Sequence, residues 1–425
     1  MNETSKPTDR AWAELQAIVG HEYVWPASLS DVIDQVTPAG IIAPGTAQQV
    51  AQVLKYCSAA GLALVPRGGG TKLAWGNRPR KFDFILSTER LNHVLEHAWG
   101  DMTVTVEAGC TIASLQHTLQ EHGQRLAADP LWPDKSTVGG LLATADSGTL
   151  RIRYGAVRDL VLGVEVALSD GNLIKAGGKV VKNVAGYDLT RLVIGSLGTL
   201  GVITRVVFRL HPIPVATATY STLLATPVEA GKLVLAILGS SLVYTGLQLR
   251  AQAAGQIAVD IRFEGIPESL QDQFVKLGQV AAGCPFAEGP DEIWSSRQKL
   301  FDNTSNAVVC KCSVLPADLG ALGDAVFRQA ESAKVAATVV AQGTGVAEVR
   351  LESTAAEALL AAVTALRGEL QRLQGTLVVE QCPAPMKGTL DVWGTLHEGL
   401  PLMQKIKEKF DPARTLNPGR FVGAI

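Results

Sequence analysis

Surplus charge is almost absent from this sequence: 38 Lys and Arg face 40 Asp and Glu, for a formal net charge of -2. Nucleic-acid partners are held by clustered cations, so this balance argues against a nucleic-acid role. Long apolar runs are also missing. None approaches the roughly 20 residues of a bilayer span, and the N-terminal MNETSKPTDRAWAEL has neither the basic-then-apolar pattern nor the small-residue cleavage site of a signal peptide. No integral membrane segment and a cytoplasmic location are therefore expected. Cysteine is sparse: Cys57, Cys110, Cys284, Cys310, Cys312 and Cys382 are scattered through the chain, whereas disulfide frameworks belong to small secreted domains. Free thiols are expected. Cys310 and Cys312 form a CxC pair, but VVCKCSV alternates like a strand and places both on one buried face. No second Cys/His pair completes a zinc site, and no cysteine pattern for an iron–sulfur cluster is present. Histidine is unevenly spread. The seven are His21, His93, His97, His117, His122, His211 and His397, so the stretch from Pro212 to Leu396 has none.

What is present is a globular chain of 425 residues, long enough for two domains. After a polar leader (residues 1–33), TAQQVAQVLKYCSAAG has helical periodicity with Gly61 as its stop, followed by the buried strand LALVP. A glycine-rich loop, the strands FDFILS and MTVTVEAG, and a helix capped by Thr111 follow. VLGVEVALSDGNLIKAGG predicts two strands about the Asp170-Gly171 turn. The first domain is placed at 34–213, ending where His211-Pro-Ile-Pro breaks the pattern. Strands such as QIAVDIRFEG and VAEVRLES then alternate with helices such as EALLAAVTALRGELQRL, which predicts a second α+β domain over 214–390, an antiparallel sheet covered by helices. A basic amphipathic helix and a Pro/Gly-rich tail occupy 391–425.

Three segments carry chemistry. In Pro66-Arg67-Gly68-Gly69-Gly70-Thr71-Lys72, successive glycines can turn backbone N–H groups inward as a nest for a phosphate-like anion; the plainer reading is a flexible surface loop. The loop is neither GxxxxGK[ST] nor GxGxxG, so ATP and NAD are not implied. DPLWPDKSTVGGLLATADSG offers small residues that let backbone approach a ligand, and GSLGTLGVIT spaces Gly195, Gly198 and Gly201 by three before a strand. Either could be packing glycine, but three such segments within one domain suit a long ligand. His93-Val-Leu-Glu-His97 matches HxxEH, a helical zinc signature, yet there is little room for a helix there and a surface turn is expected. In RIRYGAVRD, Arg151, Arg153, Arg158 and Asp159 can form a structural pair or contact an anion.

Taken in order, PRGGGTKL, STVGG, RYGAVRDLVLGVEVALSDG, GGKVVKNVAGYDLTRLVIGSLGTLGVIT and FDPARTLNPGRF resemble the FAD domain of the vanillyl-alcohol-oxidase (PCMH-type) flavoproteins. KNVAGYDLTRLVIGS with the terminal NPGR is most similar to the E-subunit family of bacterial glycolate oxidases. The resemblance covers about residues 34–213 and the tail. It implies that Pro66 to Lys72 wrap the FAD pyrophosphate. It also implies that Pro130, Leu131, Trp132, Pro133, Asp134, Lys135 and Ser136, with Thr144, Ala145, Asp146 and Ser147, line the rest of the cofactor. Leu197, Gly198, Thr199, Leu200, Gly201, Val202 and Ile203 would lead into a strand near the adenine. Lys179, Lys182, Tyr187 and Asp188 are candidates for the flavin edge. Further implications are a small 2-hydroxy-acid substrate, a paralogous flavin subunit and an iron–sulfur subunit as partners, and attachment to the inner membrane only through that complex. The sequence departs from the family at two places. Hydroxy-acid-oxidising members usually build a metal site from second-domain histidines, which this chain lacks, so no metal ligands and no catalytic base are assigned. That leaves three possible roles: accessory FAD subunit, self-sufficient dehydrogenase, or structural subunit. Some members attach flavin through a histidine near the pyrophosphate loop, and GGGTKLAWG has none; Cys110 ends a strand as a small packing residue. FAD is therefore expected to be non-covalent. The purified chain should be yellow, and acid should release all of its FAD into the supernatant. Flavin that stays with the denatured polypeptide would refute this.

Overall fold

The computed structural model describes residues 7–178, 188–252, 256–281, 283–394 and 398–425. The chain forms two compact α+β units. The first draws on Met1–Asp146, Ala156–Pro212 and Thr395–Ile425, and the second on Ser147–Gly155 and Ile213–Gly394.

Among the described residues two main sheets build the first unit, beside a short antiparallel pairing of Gln124–Arg125 with His211–Pro212. In one, the strands run in the order Val24–Pro26, Gly40–Ile42, Phe84–Ser87 and Leu64–Arg67, with the last three parallel. Parallel strands need a crossover; the helix Ala47–Ala60 carries the chain from Gly40–Ile42 to Leu64–Arg67, on the far side of Phe84–Ser87. Thr46 caps it by accepting from the Gln49 amide, and Gly61, left-handed at φ 67°, stops it. Its buried Val50, Val53, Leu54 and Cys57 share one face at helical spacing and join Leu64, Phe84 and Leu86 in one core. The polar leader contributes to that core as well. Helix Asp9–Val19, capped by Thr8, buries Leu15 and Val19, and Trp12 meets Phe84 edge-on at 5.2 Å.

The second sheet of this unit is antiparallel, in the order Val94–Ala98, Thr103–Glu107, Val202–Arg209, Val161–Ala167, Leu173–Gly177. The hairpin predicted at Asp170-Gly171 is present: Gly171 has φ 87°, and Asp170 accepts from the Asn172 amide at 2.9 Å. The expected surface turn at His93–His97 is instead a strand, Val94–Ala98. Four residues along a strand span about 13 Å, too far for two ligands of one ion. His93 faces Glu107 at 3.0 Å and His97 faces Gln124 at 2.9 Å. Five residues of mixed polarity carry no period that separates a turn from an edge strand, and pairing with Thr103–Glu107 decides it.

The second unit is an eight-stranded antiparallel sheet. Its central order is Ala216–Leu224, Ile257–Gly265, Gly246–Gln252, Ala336–Gln342, Val346–Glu352, Ala307–Ser313. One face packs on helices Pro227–Leu238, Leu319–Ala333 and Ala356–Arg372. Cys310 and Cys312 both lie in that core, where burial pushes their thiols far up. The other face is polar. Ser221, Asp260, Gln248 and Gln342 sit side by side on four adjacent strands. Asp260, fully buried, accepts from Ser221 at 2.7 Å, Gln248 at 3.0 Å and Arg250 at 2.5 and 2.9 Å. Four donors offset the loss of water that would otherwise forbid a carboxylate there.

Phe84 joins the parallel sheet to both helices of its core. Phe84→Ala should therefore cost about 3–5 kcal/mol, read as a lower urea midpoint for the first unit. An unchanged midpoint would contradict this packing.

Candidate functional site

The strand Leu64–Arg67 ends where the Thr88 amide donates to the Arg67 carbonyl at 2.9 Å. Beyond it, the amides of Gly68, Gly69, Gly70 and Thr71 have no protein acceptor among the described residues. A Cβ at Gly69 would fall on the Lys135 carbonyl oxygen, and one at Gly68 on the Thr137 hydroxyl. Gly70 adopts φ 73°. The glycines thus let the loop lie flat against 135–137 while leaving four donors unspent. That is the chemistry of an anion nest, and it suits a phosphate-bearing cofactor.

Lys72 lies behind the nest. Its ammonium is buried, bonds Ser136 Oγ at 2.7 Å, pairs with Asp146 at 3.2 Å, and stands 5.8 and 5.6 Å from the ring centres of Trp75 and Trp132. Asp146 also accepts from the Leu131 amide at 2.9 Å. Lys72 is therefore a strut between three segments, its charge met by Asp146. Arg67 is matched in the same way, by Asp31 at 2.6 Å. Burial pushes the Asp31 carboxyl up, but the bonds from Arg67 and from Ser28 outweigh it and hold the group below its ordinary value.

Three hollows share Arg67 and Gly68. The widest, 960 Å³, is lined by Gly68 to Thr71, Trp132, Lys135 and Thr137, among others. A narrow one follows Ala108, Gly139, Gly140 and Ala143 to Ser196, Leu197, Gly198 and Gly201–Ile203. The third reaches Thr144, Asn417 and Arg420.

Of the residues singled out from sequence, Pro66 to Lys72, Trp132, Lys135, Thr144, Leu197, Gly198, Gly201, Val202 and Ile203 line these hollows. Ser136 and Asp146 stand behind, on Lys72. Pro130, Leu131, Thr199 and Leu200 are buried, whereas Pro133 and Asp134 are exposed. Ala145, left-handed at φ 50°, closes the helix Val138–Thr144, and Ser147 falls in the second unit. Asp188 caps the helix Leu189–Val193 by accepting from the Arg191 amide at 3.1 Å. Lys179, Lys182 and Tyr187 lie outside the described residues. Asp159 accepts from the Ala156 amide at 2.9 Å with Arg158 at 3.9 Å, a local structural arrangement. Thr137, Gly139, Gly140, Asn417 and Arg420 also line the hollows, although no motif assigned them a role. The small residues of STVGG and the NPGR tail were the available signals. Cys110 is buried, and burial pushes its thiol up to about 11, which suppresses the thiolate that an attachment reaction would need.

Residues 38–177 match the FAD binding domain family. The chain carries an FAD-binding domain. Over 237 residues it is 33% identical to the glycolate oxidase subunit GlcD of Bacillus subtilis, covering 56% of this chain and 50% of that protein. It is 36% identical over 172 residues to a D-lactate dehydrogenase of Archaeoglobus fulgidus, covering 40% of this chain and 38% of that protein. The chain thus matches half or less of the length of these curated relatives, and it is a homologue of FAD-dependent hydroxy-acid oxidoreductases. The structure of p-cresol methylhydroxylase with substrate bound superposes with a TM-score of 0.76, covering 97% of this chain and 96% of that one at 15% identity. The fold is therefore the PCMH type, with FAD as the cofactor.

Gly69→Val should abolish flavin binding, since its side chain must displace the Lys135 carbonyl or the loop. Wild-type flavin content in that variant would remove the loop from this role. Lys72→Met should cost about 3–5 kcal/mol by stranding Asp146, and the double variant with Asp146→Leu should recover part of that in thermal unfolding.

Proposed function

We propose that this chain is the FAD-binding subunit of a complex that oxidises glycolate, or another small 2-hydroxy acid, and passes the electrons to partner subunits. The observation that carries this reading is the nest of four unspent amides inside a domain that matches the FAD binding family, in a chain that is 33% identical to a glycolate oxidase subunit over 237 residues. Gly68 to Thr71 would hold the pyrophosphate. Leu197 to Ile203 would flank the adenine, and Pro130 to Ser136 with Thr144 to Ser147 the remainder. In this reading residues 34–213 are the cofactor domain and 214–390 a cap. FAD, when bound, supplies the two-electron acceptor.

Oxidising a 2-hydroxy acid also requires a group that takes the hydroxyl proton. The second unit's sequence has no histidine from Pro212 to Leu396, so an imidazole base or an imidazole-held metal cannot come from that stretch. The proposal therefore assigns substrate oxidation to a paralogous flavin subunit and onward transfer to an iron–sulfur subunit. Among the described residues no helix is long and apolar enough to cross a membrane; in this reading the chain is cytoplasmic, or peripheral to the inner membrane through the complex. Identity to a D-lactate dehydrogenase favours a second reading, a self-sufficient dehydrogenase.

The two readings separate on anaerobic mixing of the flavin-loaded chain with glycolate or D-lactate. The subunit reading expects little bleaching alone and increased dye reduction when partners are co-expressed. Bleaching of the lone chain at turnover rates would replace it with the self-sufficient enzyme.

A further inference from the structure

The C-terminal tail, Asp411 to Arg420, reaches back to the two segments that flank the cleft. Its base is Lys407, whose buried ammonium bonds Asp411 at 2.7 Å, the Thr199 carbonyl at 2.8 Å and the Leu416 carbonyl at 2.9 Å. Asp411 in turn accepts from the amides of Thr415 and Leu416 at 3.0 and 2.8 Å. The tail then pairs with the strand that leads into the nest: the Leu64 amide donates to Thr415 at 2.6 Å, and the Asn417 amide to Leu64 at 2.8 Å. Asn417 Nδ2 donates to the Leu197 carbonyl at 2.5 Å. Arg420 donates to the carbonyls of Leu73 and Trp75 at 2.5 and 2.7 Å. One short segment therefore staples the nest loop and the 197–199 turn, and Asn417 and Arg420 both line the hollow between them.

We propose that this tail is a clasp whose closure and FAD binding stabilise each other, with Asn417 and Arg420 as its positioning residues. Opening the tail frees both flanking segments at once, so any ligand held by both must oppose opening; by linkage, closure must favour the ligand equally. Charge adds to the coupling. Arg420 is 3% exposed, and burial lowers its pKa to about 10 against the opposing, raising influence of the Asp34 carboxylate. A dianionic diphosphate in the hollow it lines would offset part of that desolvation, which a neutral side chain would not experience.

The clasp rests on the FAD reading, and the test separates the two. Arg414 is exposed and lies within the tail, whereas Lys55 is exposed on a core helix of the same unit. Limited trypsinolysis of the full chain, with and without FAD, is followed at both positions by mass spectrometry, alongside FAD affinity by flavin fluorescence. The expected result is cleavage after Arg414 slowed by about tenfold or more at saturating FAD, with a smaller change at Lys55. Arg420→Ala should weaken FAD by roughly ten- to hundredfold and lose the selective protection. Arg420→Lys, which keeps the charge and one carbonyl bond, should restore part of both. Equal protection at Arg414 and Lys55, or wild-type affinity in Arg420→Ala, would overturn the clasp. A wild-type chain that binds no FAD would overturn the cofactor reading, and the clasp with it.

Discussion

The candidate site depends on one close approach: the backbone of Gly68 and Gly69 lies against residues 135–137 with no room for a side chain between them. Because the loop packs through its Cα side, its amides remain unspent. A residue with a Cβ at 68 or 69 would have to lift the loop, and the hollows that share Arg67 and Gly68 would change with it. The close approach is held from behind by Lys72, which ties the loop to Ser136 and Asp146.

That arrangement also decides the electrostatic character of the nest. Arg67 and Lys72 are the loop's cations, and each meets a carboxylate, Asp31 and Asp146 respectively. Around the nest itself the loop presents oriented amide dipoles more than free charge. Dipoles fixed by the fold need no reorganisation when an anion arrives, and they select a ligand by where its oxygens sit. Arg420, which has Asp34 as an acidic neighbour, comes from the opposite end of the chain to line a hollow that the loop shares with the tail.

The second unit solves a different problem. Its sheet is covered on one face by helices, and on the other it buries Asp260, Gln248, Gln342 and Glu348. Pairing offsets the cost of burying the two charges: Asp260 has four donors, and Glu348 is bonded by Arg297 at 2.8 Å. The strand period explains why one sequence can serve both faces, since Leu247, Leu249 and Ala251 enter the core while Gln248 and Arg250 between them turn away.

By itself the sequence determined what depends on local pattern. The helix stop at Gly61, the Asp170-Gly171 hairpin, the placing of both CxC thiols in one core and the glycine loop all follow from spacings of a few residues, where propensity and period act directly. The ordered set of motifs carried the FAD resemblance in the same local way. Tertiary structure alone decided what depends on segments far apart in the chain. Val94–Ala98 became a strand because Thr103–Glu107 was there to pair with it. Lys72 became a strut because Ser136 and Asp146 converge on it. Asn417 and Arg420 reached the cleft because Leu64 offers the tail a neighbouring edge. Such long-range pairings leave no periodic trace in sequence: they are fixed by which backbone groups and charges remain unsatisfied once the local elements have formed.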